Sequence, residues 1–267
     1  MLIFWVLSAW AAPDLSRALN QSTLFEVRYS AGLGEGKGHF DSMPRSVDGT
    51  VNCMTWLQWV LASAYAADES QQARYLQDIR YYDSVVSFGT RKHYIDRWVA
   101  LDPTPLVPLN NERCRPDVLG YVTLETDLFK EKHGYTCPLY EDSQRQFPVE
   151  SLTRGKMTDC LKALPEGYYV LFFVGSDLYM ERWGKYGKMG QVHSMIVQKA
   201  EEVTVYHASV DKQRVVTETW PQLSERLESV ALGYTIYGLT DSWPSPRSPS
   251  QQSLTIAACE QAAMQKP

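Results

Sequence analysis

Residues 53–68, CMTWLQWVLASAYAAD, and the run that answers them at residues 168–174, YYVLFFV, decide the fold class. In the first stretch, apolar residues at 53, 54, 56, 57, 60, 61 and 64 recur at the spacing of one helix face. Asn52, just before it, is a good N-cap residue type. The second stretch is continuously apolar, the pattern of a strand buried on both faces. Working outward from the helix, Pro13 to Thr23 reads as a weak helix. Further helices are predicted over about Glu69 to Leu76 and Tyr94 to Ala100. Working outward from the strand, His193 to Gln198 and Val203 to Tyr206 read as two strands separated by a Lys-Ala-Glu-Glu turn. Arg214 to Thr217 and Gly233 to Tyr237 add two more, with a helix from Pro221 to Val230 between them. Helices first and then a mostly antiparallel sheet is an α+β pattern. Residues 30–52 and 175–190 are glycine-rich loops, and 101–147 is a Pro-, Asn- and charge-rich insertion of weak periodicity. After Ser242 the text WPSPRSPSQQS is Pro/Ser-rich linker, closed by a short Ala-rich helix that holds Cys259. There is no internal repeat.

The 267 residues are 44% hydrophobic and 21% charged, which excludes wholesale disorder and suits one domain with insertions. Twenty-six basic against 31 acidic residues give a net charge of −5. With no basic run longer than two residues, a nucleic-acid partner held through phosphate contacts is not expected. Residues 1–12, MLIFWVLSAWAA, are apolar but too short to span a bilayer. Ala9-Trp10-Ala11 suits signal-peptidase cleavage, so residues 1–11 are read as a signal peptide and the protein as exported, to the periplasm or beyond, with no stable membrane insertion. A buried N-terminal helix is the alternative, because the charged n-region is missing. Five cysteines (53, 114, 137, 160, 259) leave one unpaired in an oxidising compartment. If Cys53 is that one, three pairings of the others are open, and Cys114 with Cys137 is the expected bridge. No Cys or His spacing matches a zinc site, so neither metal nor organic cofactor is implied.

Cys53 stands in the first turn of its helix, where unpaired N–H groups and the helix dipole favour a thiolate, the nucleophile of thiol hydrolases. His193 opens one apolar strand (VHSMIV) and His207 ends the next (VTVYH). A hairpin brings two such histidines side by side, the first as general base and the second to orient it. The order Cys, His, His, with separations of 140 and 14 residues, is a papain-like arrangement. A buried structural cysteine with two satisfied histidines is the competing reading of spacing alone.

At these residues the chain resembles the NlpC-type superfamily of papain-like cell-wall cysteine hydrolases, and within it a domain-of-unknown-function family of N-acetylmuramoyl-L-alanine amidase-like proteins. The family's nucleophile segment is similar to Asn52-Cys53-Met54-Thr55-Trp56-Leu57-Gln58. Its Arg-Tyr and Ser-Arg-x-His-Tyr segments resemble Arg80-Tyr81 and Thr90-Arg91-Lys92-His93-Tyr94. Its Ser-His-x-Gly-Ile strand resembles Val192-His193-Ser194-Met195-Ile196, and its His-Ala-Ser element is intact at His207-Ala208-Ser209. The resemblance covers roughly residues 24–240. Asn52 stands where the family has Asp, Gln58 where it has Glu, and Ser194-Met195 where it has a small residue and Gly.

The resemblance implies a papain-like core over 12–241, with the nucleophile helix packed on an antiparallel sheet and 242–267 as a tail. It implies an exported cysteine amidase that cuts the N-acetylmuramoyl–L-alanine bond, or a stem-peptide amide, of peptidoglycan fragments, with Cys53, His193 and His207 catalytic. Tyr29 would help hold the oxyanion, or is an ordinary strand tyrosine. Arg91, His93 and Tyr94 would meet an acidic muropeptide, or form a solvated helix start; Ser209 joins the substrate side. Trp183 and Tyr186, among Gly184, Gly187 and Gly190, make a substrate lid or a surface turn. His39 and His133 are expected to be solvated. Two rivals remain open: a lipid acyltransferase or thioesterase of the same superfamily, and a non-catalytic muropeptide-binding module.

Overall fold

In the computed structural model of the protein, residues 13–27, 50–93, 104–109, 111–124, 126–140, 146–175, 187–188, 191–229 and 231–265 are described. The expectations at the leader, Tyr29, His39, Tyr94 and the 94–100 helix, Trp183 and Tyr186 fall outside them.

The chain is α+β. Among the described residues, α1 (Leu15–Ser22), α2 (Cys53–Tyr65) and α3 (Glu69–Arg80) precede most of the sheet. The strand predicted at 168–174 is β6 (Gly167–Gly175), and it lies inside an eight-stranded sheet. The order across that sheet is β2 (Thr50–Val51), β1 (Glu26–Val27), β10 (Arg214–Thr219), β9 (Val203–Ser209), β8 (Gln191–Lys199), β6, β11 (Ala231–Leu239), β3 (Leu106–Pro108). Every pairing is antiparallel except β1 with β2.

Alternation along β6 explains why its text is apolar throughout. Val170 and Phe172 pack with Trp56, Leu57, Val60 and Leu61 of α2 and Leu76 and Ile79 of α3. Tyr169, Leu171 and Phe173 face the other way, into a second cluster. There they meet Met157 and Leu161 of α5 (Arg154–Ala163), and Trp220 and Leu223 of α6 (Trp220–Leu227). Burying each such side chain contributes roughly 1.5–3 kcal/mol, so the middle of the sheet is the anchor of the molecule.

The insertion is more ordered than its sequence suggests. Besides β3 it holds β4 (Val118–Leu124) and α4 (Thr126–His133), and β5 (Gln146–Ser151) follows. Strands β5, β4 and β7 (Gly187–Lys188) form a separate three-stranded sheet. Gly120 in β4 and Pro148 in β5 blur the alternation that would reveal the hairpin.

The expected Cys114–Cys137 bridge is wrong. Cys114 pairs with Cys160 of α5, and Cys137 with Cys259 of the C-terminal helix α7 (Gln251–Met264), at Cα separations of 4.8 and 5.9 Å. The insertion folds back onto two helices rather than onto itself. The second bridge, 122 residues apart in sequence, straps the tail to the domain. His133 is also not simply solvated: its ring lies 4.5 Å from that of Phe129 and 5.3 Å from that of Phe88.

Candidate active site

Asn52 caps α2 as its residue type suggests. Its side chain accepts from the Thr55 N–H at 2.8 Å, and its own N–H donates to the Thr55 hydroxyl at 3.0 Å. This reciprocal cap fixes the first helical residue, Cys53, and leaves it the free cysteine of the chain. The Asn in place of a family Asp keeps the capping oxygen. Gln58 likewise keeps a partner, because its side-chain oxygen accepts from Arg80 Nε at 3.0 Å in the interior.

Strands β8 and β9 pair from Lys199 opposite Val203 to Ile196 opposite Tyr206, and their pairing ends there. The N-terminus of α2 rests against β8 beyond that point. The hydroxyl of Ser194, the residue after His193, donates to the Cys53 carbonyl oxygen at 2.6 Å. The unpaired strand ends are joined instead through side chains: His193 Nε2 lies 3.0 Å from His207 Nδ1, with the two rings nearly perpendicular. So the structure brings His193 to His207, and Cys53 to the neighbour of His193.

Sequence reasoning missed the next member. His207 Nε2 lies 3.0 Å from the Glu218 carboxylate of β10, and Arg226 of α6 binds the same oxygen, Oε2. Val216 is the cross-strand partner of His207, and Glu218 follows two residues on, on the same side of the strand. That two-residue offset from a predicted strand neighbour was the available signal. Thr219 then caps α6, and the helix carries Arg226 two turns along to reach back to Glu218.

Burial governs the protonation states. It pushes the Cys53 thiol up from its ordinary value, against hydrogen bonds from the Ser194 main chain and hydroxyl and from the main chain of Met54 and Cys53 itself. The expectation of a thiolate at this helix start is therefore not met: the main-chain N–H groups pull the thiol down, but desolvation outweighs them. Burial, with the His207 ring and the Arg226 charge added, pushes His193 down to about 3. His207 is lowered by burial despite Glu218. Glu218, although burial opposes it, is held below the usual carboxylate range by His207 and Arg226. At neutral pH Cys53 is a neutral thiol and the paired imidazoles are neutral, with an ionised glutamate behind His207. Such a set can pass a proton from sulfur to imidazole during attack on a carbonyl.

The other expected site residues lie elsewhere. Arg91 is buried, its guanidinium 5.6 Å above the Tyr81 ring and 3.3 Å from the Tyr81 hydroxyl. His93 bonds the Phe88 carbonyl at 2.8 Å and packs between Phe88 and Phe129. Arg91 is buried and His93 half-buried, and both are held by neighbouring rings and oxygens of the chain itself. Ser209 is buried too, and its hydroxyl accepts from the Lys212 N–H at 3.3 Å in the β9–β10 turn.

A crystal structure of a Legionella pneumophila protein assigned to the DUF1460 family superposes on this chain. The TM-score is 0.69, at 15% identity over 88% of this chain and 91% of that one. At that identity the likeness speaks for the fold alone. No curated protein matches the sequence at a significant level. The model of the AmiA-like family, described as N-acetylmuramoyl-L-alanine amidase-like, matches residues 21–229, a span that contains Cys53, His193, His207 and Glu218, and the chain belongs to that family.

Proposed function

We propose that the protein is an exported cysteine amidase with a papain-like core that cleaves the bond between N-acetylmuramic acid and L-alanine, or a stem-peptide amide, in peptidoglycan fragments. The observation that supports this reading is the His193–His207 contact at 3.0 Å, together with the Ser194 hydroxyl that ties the capped N-terminus of α2 to the strand of His193 through the Cys53 carbonyl. In the proposed reaction Cys53 attacks the amide carbonyl and the Cys53 N–H is one donor to the oxyanion. His193 takes the thiol proton and later gives it to the leaving amine. His207 orients His193. No cofactor enters. Family membership supports the substrate class, and two disulfides suit an oxidising compartment outside the cytosol.

Mass-spectrometric digestion of purified muropeptides tests the proposal, with C53A and H193A proteins as controls. Release of free stem peptide by the wild type, and a fall of roughly 10²-fold or more in both variants, is the expected result. Intact muropeptides after incubation with folded wild-type protein would overturn the substrate; equal cleavage by C53A would overturn the mechanism.

A further inference from the structure

Glu218 and Arg226 lie behind the histidine pair, and the atoms they share restrict where protons can sit. Arg226 has only donors to offer, so the Glu218 oxygen it binds must accept. The same oxygen lies 3.0 Å from His207 Nε2, which must therefore carry a hydrogen. In a neutral imidazole that leaves His207 Nδ1 as an acceptor. His193 Nε2, 3.0 Å away, must then be the donor, and His193 Nδ1 is left with the lone pair. Among the described residues, the groups along this row are the buried His207, the partly exposed Glu218, Arg226 on α6, and Asp211 in the β9–β10 turn, 3.9 Å from Arg226.

From this geometry we infer that Glu218, pinned by Arg226, is a positioning residue that sets the tautomers of both histidines and so makes Nδ1 of His193 the basic atom. The inference rests on the amidase reading for its consequence, though not for its geometry. During attack the thiol proton moves from Cys53 Sγ to His193 Nδ1 as the sulfur bonds to the carbonyl carbon. The same proton then passes to the leaving nitrogen as the carbon–nitrogen bond breaks. The two Nε2 protons stay in place, and the Glu218 charge faces the imidazolium through His207.

A plain ion pair joining β10 to α6 would hold the same atoms without this consequence, and a double-mutant cycle separates the two. In E218Q alone, Arg226 still demands an oxygen at the shared position, so the tautomers persist and turnover falls only a few-fold. In R226M alone the carboxylate still accepts, with a similarly small loss. In E218Q/R226M the amide is free to turn its NH2 toward His207, reverse the row and place a proton on His193 Nδ1. Turnover should then fall by roughly 10²-fold or more, beyond the product of the single losses and in kcat rather than KM. Long-range 1H–15N spectra of the imidazoles read the tautomers directly, whether or not any substrate is cleaved, and melting temperatures report folding.

Wild-type rings of His193 and His207 both protonated on Nε2, with the Nδ1–H form appearing in the double variant, is the expected result. A proton on His193 Nδ1 in the wild type overturns the inference, as do unchanged spectra across the cycle, even if muropeptides are cleaved. Absence of cleavage with the expected spectra overturns the amidase reading and leaves the tautomer row standing.

Discussion

The Ser194 hydroxyl donates to the carbonyl oxygen of Cys53 at 2.6 Å, tying the first residue of α2 to the strand residue beside His193. It also opposes the upward push of burial on the Cys53 thiol. Ser194→Ala removes both effects at a fully buried position. Chemical denaturation should show a loss of about 1 kcal/mol. The pH midpoint for Cys53 alkylation should move further up, since a group that favours the thiolate is gone. A midpoint that moves down, or does not move, contradicts this account of the contact.

The wild-type thiol itself makes a second prediction. Cys53 is raised from an ordinary value of 9.0 and His193 is lowered to about 3, so no thiolate–imidazolium pair forms at rest. Alkylation of the free cysteine by iodoacetamide should rise towards alkaline pH with a midpoint above 9. A plateau already reached at pH 7 would mean that the ion pair exists and that burial does not dominate the site.

How far the sequence carried can be argued from these same residues. The helix at 53 and the strand at 168–174 were legible because each has one unambiguous period, and the Cys, His, His order followed from them. Helix α3 runs on to Arg80, past the expected end at Leu76, because the buried Ile79 and Arg80 extend its packed side. Glu218 was missed because it lies just past the strand expected over 214–217, and an acidic residue there looks solvated until register places it beside His207. The intramolecular partners of Arg91 and His93 were not legible: the Tyr81 ring and hydroxyl hold the first, and the Phe88 carbonyl the second. The disulfide partners of Cys114 and Cys137 depend on how the insertion docks, which local spacing does not encode.

The tail gives a third prediction. Glu260 of α7 is buried, and its carboxylate accepts from the Phe88 and Gly89 N–H groups at 3.1 and 2.7 Å and from the Tyr135 hydroxyl. Nearby, Ser250 and Ser253 hold the Asp83 carboxylate, at a residue with φ of +53°. Glu260→Ala leaves two main-chain donors and a hydroxyl without this acceptor, each worth roughly 1–3 kcal/mol if dry. Stability should fall by about 2–4 kcal/mol with the Cys137–Cys259 bridge intact. An unchanged denaturation midpoint would show that α7 is an appendage rather than part of the domain.

The last prediction concerns acid. Burial, reinforced by the Arg91 charge, pushes His93 down to about 3 from an ordinary 6.5, although its bond to the Phe88 carbonyl opposes the shift. His193 is lowered as far. In each case the unfolded chain takes up a proton near pH 6.5 that the folded chain refuses until about pH 3. The unfolded state therefore binds more protons between those values, and stability falls as pH drops through that window, then levels below it. Replacing His93 with Phe keeps a ring between Phe88 and Phe129 and removes one of these two largest titrations, leaving the lowered His207 and His133 as they were. The Phe88 carbonyl keeps a donor, the Arg91 N–H at 3.2 Å. The variant should melt near the wild-type temperature at pH 7.5 and lose less between pH 7.5 and 4.5, because the His93 contribution is gone while those of His193, His207 and His133 stay. Parallel melting curves for the two proteins across that range would mean that His93 gains its proton in the folded state and is not held neutral by its surroundings.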